Sequence, residues 1–262
     1  MAVVVSVHSF RGGTGKSNIT ANVAAVLVAA GLRVAVVDTD IQSPGIHVLF
    51  GLADTPRPGL NEYLWGNQPI TDVAIDVSDR VAAHSPITGS GALYLVRSSV
   101  NATDIARVLH EGYDIARLRD GFRELASGLG LDVVLVDTHP GLNEETLLSV
   151  MISDALVLIL RPDRQDFEGT AVTLGVARRL KVPEVWMVCN KVPSGVDLSQ
   201  FAVDLSKQYD ADTVAVLPLS EDLVHNASAD LFALLRPEHL WSINVARVAE
   251  RIRSIKPQGP PG

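Results

Sequence analysis

A short glycine-rich run near the start of the chain carries the residue types needed to hold a phosphate group. Residues 10–17 read F-R-G-G-T-G-K-S. Glycines in a turn that opens a helix leave backbone N–H groups free to face an anion at the positive end of the helix dipole. Lys16 adds a mobile cation, and Ser17 adds a hydroxyl of the kind that binds Mg²⁺. The run therefore predicts a pocket for a nucleoside triphosphate.

The segments on either side of this run have the structure that such a pocket requires. Val3–Val7 has the length and the side-chain branching of a buried strand. Residues 18–30 have apolar side chains at helical spacing, at Ile19, Val23 and Leu27. Because the strand, the glycine-rich turn, the G-K-S triplet and the helix agree with one another, a chance match is a weak explanation of the run.

The first two positions of the run depart from the common phosphate-loop pattern. That pattern has glycine five residues before the G-K pair, where this chain has Phe10. Arg11 follows and places a second cation inside the loop. The arrangement resembles the deviant Walker A loop of the MinD/ParA family of P-loop ATPases, usually written K-G-G-x-G-K-[ST]. Here Arg11 takes the place of the family's signature lysine.

This resemblance implies that the loop binds ATP and Mg²⁺, with Lys16 acting in catalysis. The residues that would bind the nucleotide in the loop are Gly12, Gly13, Thr14, Gly15, Lys16, Ser17 and Asn18. The resemblance also implies that Arg11 reaches across a nucleotide-sandwich dimer to the partner subunit's phosphates. Arginine keeps the charge of lysine but presents a planar fork of donors, so its reach differs. The alternative interpretation is that Arg11 is an exposed loop charge without a phosphate contact.

Two further apolar strands end in acidic residues. Asp38 and Asp40 follow one strand and alternate by two, so both side chains can face the same side. Asp137 follows the strand Val133–Val136. The carboxyl ends of parallel strands border the crevice where ligands bind, although strand-end capping is the alternative role for such acids. The resemblance implies that Asp40 positions the attacking water, while Asp38 and Asp137 support the Mg²⁺ ion together with Ser17.

Weaker signals lie in three other loops. His139 follows Asp137, but no second His or Cys lies at ligand spacing, so we interpret it as a loop residue. The resemblance implies that Asn190 contacts the adenine ring, to which its amide offers both a donor and an acceptor. It also implies that Pro218 belongs to a second loop on the purine side.

The order of apolar runs and helical patterns predicts the fold. The predicted strands are Val3–Val7, Arg33–Val37, Leu93–Val96, Val133–Val136, Ala155–Leu160, Val185–Val188 and Thr213–Leu217. The predicted helices are Ser17–Ala30, Ile115–Ser127, Glu144–Ile152, Phe167–Leu180, Leu198–Gln208 and Glu238–Ile255. This alternation is typical of an α/β fold with a doubly wound, mostly parallel sheet and helices on both faces. We expect one domain over residues 1–255, its least regular part over 54–91, and a flexible Pro/Gly tail over 256–262.

The composition limits the class of protein. The chain has 262 residues, 47% of them hydrophobic, and a formal net charge of −8. That charge argues against a protein whose whole surface binds nucleic acid. Cys189 is the single cysteine, which excludes an intrachain disulfide and the cysteine-ligated iron–sulfur proteins that share this loop. No signal peptide or membrane-spanning stretch is evident, so we expect a cytoplasmic protein.

The last predicted helix offers two candidate partner surfaces. Arg247 and Arg251 share one face and could hold DNA nonspecifically, but a solvated helix face is the commoner reason for such a pattern. An apolar stripe runs from Trp241 to Ile252 on the other side. Such a stripe is typical of a core-packing helix, and we find no clear membrane anchor.

These features favour an ATP-binding and ATP-hydrolysing switch that positions or regulates a cellular component. By the resemblance, it would form a homodimer on binding ATP, hydrolyse it slowly, and respond to a protein activator or cargo adaptor. The alternative is a nucleotide-binding adaptor with little or no hydrolysis, in which the replacement of the family's lysine by Arg11 causes the loss of hydrolysis.

Overall fold

A computed structural model describes residues 2–52 and 57–256 of the chain. The strands are β1 (Val3–His8), β2 (Arg33–Asp38), β3 (Ile75–Asp76), β4 (Ala92–Val96), β5 (Val133–Asp137), β6 (Ala155–Leu160), β7 (Glu184–Val192) and β8 (Asp212–Pro218). The helices are α1 (Lys16–Ala29), α2 (Ile46–Leu49), α3 (Leu60–Leu64), α4 (Ser78–Ala82), α5 (Ala102–Glu111), α6 (Ile115–Gly128), α7 (Glu144–Met151), α8 (Arg164–Arg179), α9 (Leu198–Tyr209), α10 (Glu221–Asn226), α11 (Phe232–Leu235) and α12 (Leu240–Arg253).

The strands form one eight-stranded sheet in the order β3-β4-β2-β5-β1-β6-β7-β8. All the paired strands are parallel except β3, which runs antiparallel to β4. The predicted doubly wound α/β fold is therefore confirmed. In the register of the three central strands, Asp137 of β5 lies beside Val7 of β1 and Asp38 of β2. The ends of these strands consequently meet at one edge of the sheet.

Helices cover both faces of the sheet, which explains the continuous apolar runs. Successive residues of β2 alternate between the two sides: Val34 and Val36 belong to one hydrophobic cluster, and Ala35 and Val37 to another. The first cluster includes α1 and α12, and the second includes α6. A third cluster packs β6 and β7 against α8 and α9. A strand covered on both sides needs apolar residues at every position, so periodicity is absent from its sequence.

The last helix packs into the core, as its apolar stripe predicts. Trp241, Val245, Val248 and Ile252 of α12 are all buried. The interpretation of this stripe as a core-packing face is confirmed. None of the described helices is both long and apolar enough to cross a membrane.

The segment expected to be the least regular contains structure of its own. Residues 57–91 form the short elements α3, β3 and α4, and they bury Leu60, Ile70 and Val81. Elements of two to five residues are too short to give a periodic pattern, which is why the sequence does not reveal them. Of the predicted tail, residues 257–262 lie outside the described part of the chain.

Candidate functional site

The glycine-rich loop connects the end of β1 at His8 to the start of α1 at Lys16. Gly13 and Gly15 have φ values of 76° and 91°, in the left-handed region that favours glycine. A side chain at Gly15 would place its Cβ 2.5 Å from Nδ2 of Asn190. Glycine at this position is therefore required both by the backbone angle and by the close approach of β7.

Hydrogen bonds hold the carbonyl groups of this loop and leave its N–H groups free. The Thr14 carbonyl accepts from Asn190 Nδ2 at 2.8 Å, and the Gly15 carbonyl accepts from the Ile19 N–H at 3.0 Å. Among the residues that the structure describes, none accepts a hydrogen bond from the backbone N–H of residues 12–18. A row of free N–H groups at the start of a 14-residue helix is the arrangement that binds phosphate.

The structure brings Lys16 and Asp137 together at the base of the loop. Lys16 Nζ donates to Asp137 Oδ1 at 2.7 Å, and both side chains are buried. Thr20 Oγ1 donates to the same oxygen at 3.2 Å. A buried charge pair of this kind is costly to break from one side, because the remaining charge is left without a partner.

Asp38 and Asp40 lie at the same edge of the sheet, as predicted. Asp38 Oδ1 accepts from the Asp40 N–H at 3.0 Å, but Oδ2 is buried without a partner in the described residues. Burial, followed by the negative charge of Asp137, raises the pKa of Asp38 well above its usual value. Burial also raises the pKa of Asp40, whose Oδ1 accepts from the Ser43 N–H at 3.1 Å.

The buried carboxyl of Asp38, whose Oδ2 has no partner in the described residues, leads to a prediction about stability. Because the pKa of this carboxyl is raised in the folded state, its ionisation costs more in the folded protein than in the unfolded chain. The free energy of unfolding therefore falls as the pH rises from the unfolded pKa, about 4, through the folded pKa. Asp38→Asn removes this charge and keeps an oxygen for the Asp40 N–H. We expect the ligand-free variant to melt at a higher temperature than wild type at neutral pH, by roughly 2–4 °C for each kcal/mol gained in the free energy of unfolding. Thermal melts over a range of pH should show the difference shrinking towards about pH 4; a lower melting temperature at neutral pH would contradict this account.

Two histidines border the acidic residues. His139 lies in the loop after β5, where its Nε2 is 3.9 Å from Asp40 Oδ1. His8 is buried at the end of β1, with Nδ1 2.8 Å from Thr138 Oγ1. Burial and the positive charge of Lys16 lower the pKa of His8 to about 3, so it is neutral near pH 7. A histidine at the end of an apolar strand gives no sequence pattern, so the sequence does not indicate that His8 lies at the site.

Arg11 contacts its own chain at the start of α8. Its guanidinium donates to Gln165 Oε1 and lies 3.9 Å from the carboxylates of Asp163 and Asp166. Both acids also pair with Arg161, at 3.2 Å and 3.0 Å respectively. Both acids therefore have a second cationic partner besides Arg11. The sequence did not indicate this contact, because it joins residues more than 150 positions apart.

The two residues predicted to face a purine have different surroundings. Asn190 is buried against the loop through its hydrogen bond to Thr14, and Pro218 is the last residue of β8. Asn18, which follows the G-K-S triplet, donates from Nδ2 to Ser228 Oγ at 3.3 Å. The contacts of Asn190 and Pro218 with an adenine ring remain predictions.

The residues at this edge fit a Mg²⁺ ion bound mainly by water and phosphate. No cluster of three or more His, Cys, Asp or Glu side chains within the described ranges could hold a metal by itself. Mg²⁺ does not need such a cluster, since it keeps several waters and takes only one or two protein ligands beside phosphate oxygens. The buried, unpartnered oxygen of Asp38 is a suitable acceptor for such a water.

Comparisons with known proteins agree with this geometry. A sequence model of the CobQ/CobB/MinD/ParA nucleotide binding domain matches residues 5–231. Two uncharacterized ATP-binding proteins of Methanocaldococcus jannaschii are 24% and 30% identical to the chain, over 73% and 84% of its length and 65% and 74% of their own. The chain thus spans slightly less than two thirds of the first of them. The structure of the septum site-determining protein MinD from Pyrococcus horikoshii, complexed with Mg-ADP, superposes with a TM-score of 0.77 over 97% of both chains, at 18% identity.

Proposed function

Because the chain belongs to the CobQ/CobB/MinD/ParA nucleotide-binding domain family, we propose that it is an ATP-driven dimerisation switch. It would bind ATP with Mg²⁺, dimerise around the nucleotide, and return to monomers after slow, partner-stimulated hydrolysis. We base this on one arrangement above all: free N–H groups in the loop surround a site whose buried cation, Lys16, is aligned by Asp137. One nucleotide-binding domain over residues 1–255 would contain the whole site.

The side chains at the sheet edge would have separate roles in phosphoryl transfer to water. Lys16 would stabilise the charge that develops on the transferred phosphoryl group, and the loop N–H groups would position the phosphates that precede it. Asp40 would orient the attacking water, and its raised pKa favours acceptance of a proton from that water. Mg²⁺, bound through Ser17 and through waters on Asp38 and Asp137, would neutralise phosphate charge.

The role in positioning or regulating a cellular component is proposed from the relatives. The Pyrococcus horikoshii structure is that of a septum site-determining protein with Mg-ADP, so a similar fold serves cell organisation there. Within this chain, Arg251 lies 3.2 Å from Glu184 and 3.5 Å from Asp212, and its guanidinium stacks over Trp186. The two carboxylates offset the positive charge of Arg251. We therefore favour a protein activator or cargo adaptor over nonspecific DNA as the partner.

Arg11 provides the test of the dimer. If it reaches the partner's phosphates, Arg11→Ala should leave ATP affinity of the monomer nearly unchanged and weaken ATP-dependent dimerisation. A charge-assisted contact contributes about 1.5–3 kcal/mol, and a symmetric dimer contains two of them, so the dimer constant should fall by about a hundredfold or more. The Arg11–Asp163 pair is exposed on both sides and is of the kind worth about 0–1 kcal/mol. Asp166 is buried but also pairs with Arg161, so a phosphate can replace these carboxylates as the partner of Arg11.

Sedimentation at several protein concentrations with a slowly hydrolysed ATP analogue gives this constant. Arg11→Lys should restore most of the dimer, because lysine is the family's residue at this position. Arg164→Ala is the matched control, since Arg164 is an exposed arginine nearby whose ion pair, with Glu168, lies within α8. If Arg11→Ala dimerises as tightly as wild type, Arg11 is only a loop charge.

Turnover separates the switch from the alternative, a nucleotide-binding adaptor. A switch that is active as a dimer should release phosphate with a specific activity that rises with protein concentration. An adaptor should bind ATP without this rise, with and without candidate partners.

A further inference from the structure

An irregularity near the end of β7 turns two consecutive residues towards the phosphate loop. Cys189 pairs with Val216 and Val192 pairs with Pro218, so two residues of β7 lie opposite a single residue of β8. The extra residue makes this a β-bulge, a feature that redirects side chains. Lys191, inside the bulge, has a φ of 61°, which is uncommon for a residue other than glycine.

Because of the bulge, the side chains of Asn190 and Lys191 both contact the phosphate loop. Neighbouring side chains of a regular strand face opposite sides of the sheet. Here Asn190 Nδ2 donates to the Thr14 carbonyl and Lys191 Nζ donates to the Gly13 carbonyl, both at 2.8 Å. Two consecutive carbonyl groups of the loop are therefore held by two consecutive residues of β7.

Holding these carbonyls fixes the direction of the N–H groups that follow them. A trans peptide unit is planar, and its C=O and N–H point in opposite directions. The Gly13 carbonyl shares a peptide plane with the Thr14 N–H, and the Thr14 carbonyl shares one with the Gly15 N–H. Both N–H groups belong to the free row of the loop. Gly13 and Gly15 also have positive φ values, so without these bonds the two peptide planes would have unusual freedom to rotate.

We propose that Asn190 and Lys191 are positioning residues that preset the loop N–H groups for the phosphates of a nucleotide. Lys191 is the less expected of the two, because it lies outside the phosphate-loop motif and its ammonium group is used on a carbonyl. This inference rests on the proposed nucleotide site. Since the loop serves the phosphates that ATP and ADP share, loss of the Lys191 bond should weaken both nucleotides equally.

Lys191→Met tests this inference without touching the residues predicted to meet the nucleotide. Titration with Mg-ADP and with a slowly hydrolysed ATP analogue should show both dissociation constants rising about three- to tenfold, as expected for one lost hydrogen bond. Lys191→Arg should return both to within about threefold of wild type, because arginine keeps a charged donor. Lys181→Met is the matched control: Lys181 is exposed and has a similar φ of 57°, but it lies in the turn that precedes β7.

The possible outcomes are distinct. Equal weakening of both nucleotides, rescue by arginine and an unaffected control support the positioning role. Unchanged affinity of Lys191→Met, or an equal loss in Lys181→Met, would overturn it, as would weakening of the ATP analogue alone, which would indicate a contact with the third phosphate. If wild type itself bound neither nucleotide, the proposed function would fail instead, so the two failures can be told apart.

Discussion

Lys16→Ala is expected to abolish Mg²⁺-dependent ATP binding. The substitution removes the only lysine of the loop from a site where it contacts Asp137 at 2.7 Å and would contact phosphate oxygens. A contact of a buried cation with phosphate is charge-assisted, and loss of several such interactions should weaken binding by at least about a hundredfold. Titration with a fluorescent ATP analogue measures the loss. An unchanged affinity would refute the assignment of the nucleotide site.

The buried pair calls for a control that separates binding from folding. Among the described residues, Lys16→Ala leaves the buried Asp137 carboxylate with the Thr20 hydroxyl as its one donor, and one-sided removal of a buried pair costs about 3–5 kcal/mol. Combining Lys16→Met with Asp137→Asn removes both charges and keeps similar side-chain volumes, which is often nearly neutral for stability. We expect the double variant to melt close to wild type and still not to bind ATP.

Asp40→Ala should separate binding from hydrolysis. In the structure Asp40 lies at the sheet edge beside Asp38, and its side chain accepts from the Ser43 N–H, so no loop N–H of residues 12–18 depends on it. We expect ATP affinity to stay within about threefold of wild type, while phosphate release falls by about a hundredfold or more, the usual contribution of a general base. The variant should then accumulate as a dimer in the presence of ATP.

Light scattering with ATP and a phosphate-release assay show both effects on the same sample. Asp40→Asn is the informative control, because it retains an oxygen for the Ser43 N–H but cannot accept a proton. If the asparagine variant is as slow as the alanine variant, the carboxylate itself is required. If Asp40→Ala hydrolyses ATP at the wild-type rate, this role of Asp40 is wrong.

The parts of the molecule that the sequence predicted are those that local patterns determine. The run from Phe10 to Ser17 is contiguous, and the strands before Asp38 and Asp137 are continuous apolar runs. Parallel strands buried on both faces must have such runs, and their carboxyl ends must share one edge of the sheet. The fold class and the meeting of these strand ends at one edge of the sheet can therefore be predicted from the sequence alone.

The remaining features depend on contacts between distant parts of the chain. Lys191 is one residue of an unremarkable N-K pair, and it reaches Gly13 only because the register of β7 and β8 slips by one residue. The contact of Arg11 with Gln165 depends on how α8 packs beside the loop. The proximity of His139 to Asp40 likewise requires β2 and β5 to be neighbours. Pairing register and packing are properties of the folded chain, and no local pattern encodes them.

The central claim, that ATP and not ADP drives dimerisation, is tested most directly by sedimentation velocity of the wild-type protein. Three samples at one protein concentration are compared: without nucleotide, with Mg-ADP, and with Mg²⁺ and a slowly hydrolysed ATP analogue. We predict a monomer in the first two samples and a dimer in the third, with the dimer dissociating when ADP replaces the analogue. The same sedimentation coefficient in all three samples, with nucleotide binding verified by titration, would contradict the account.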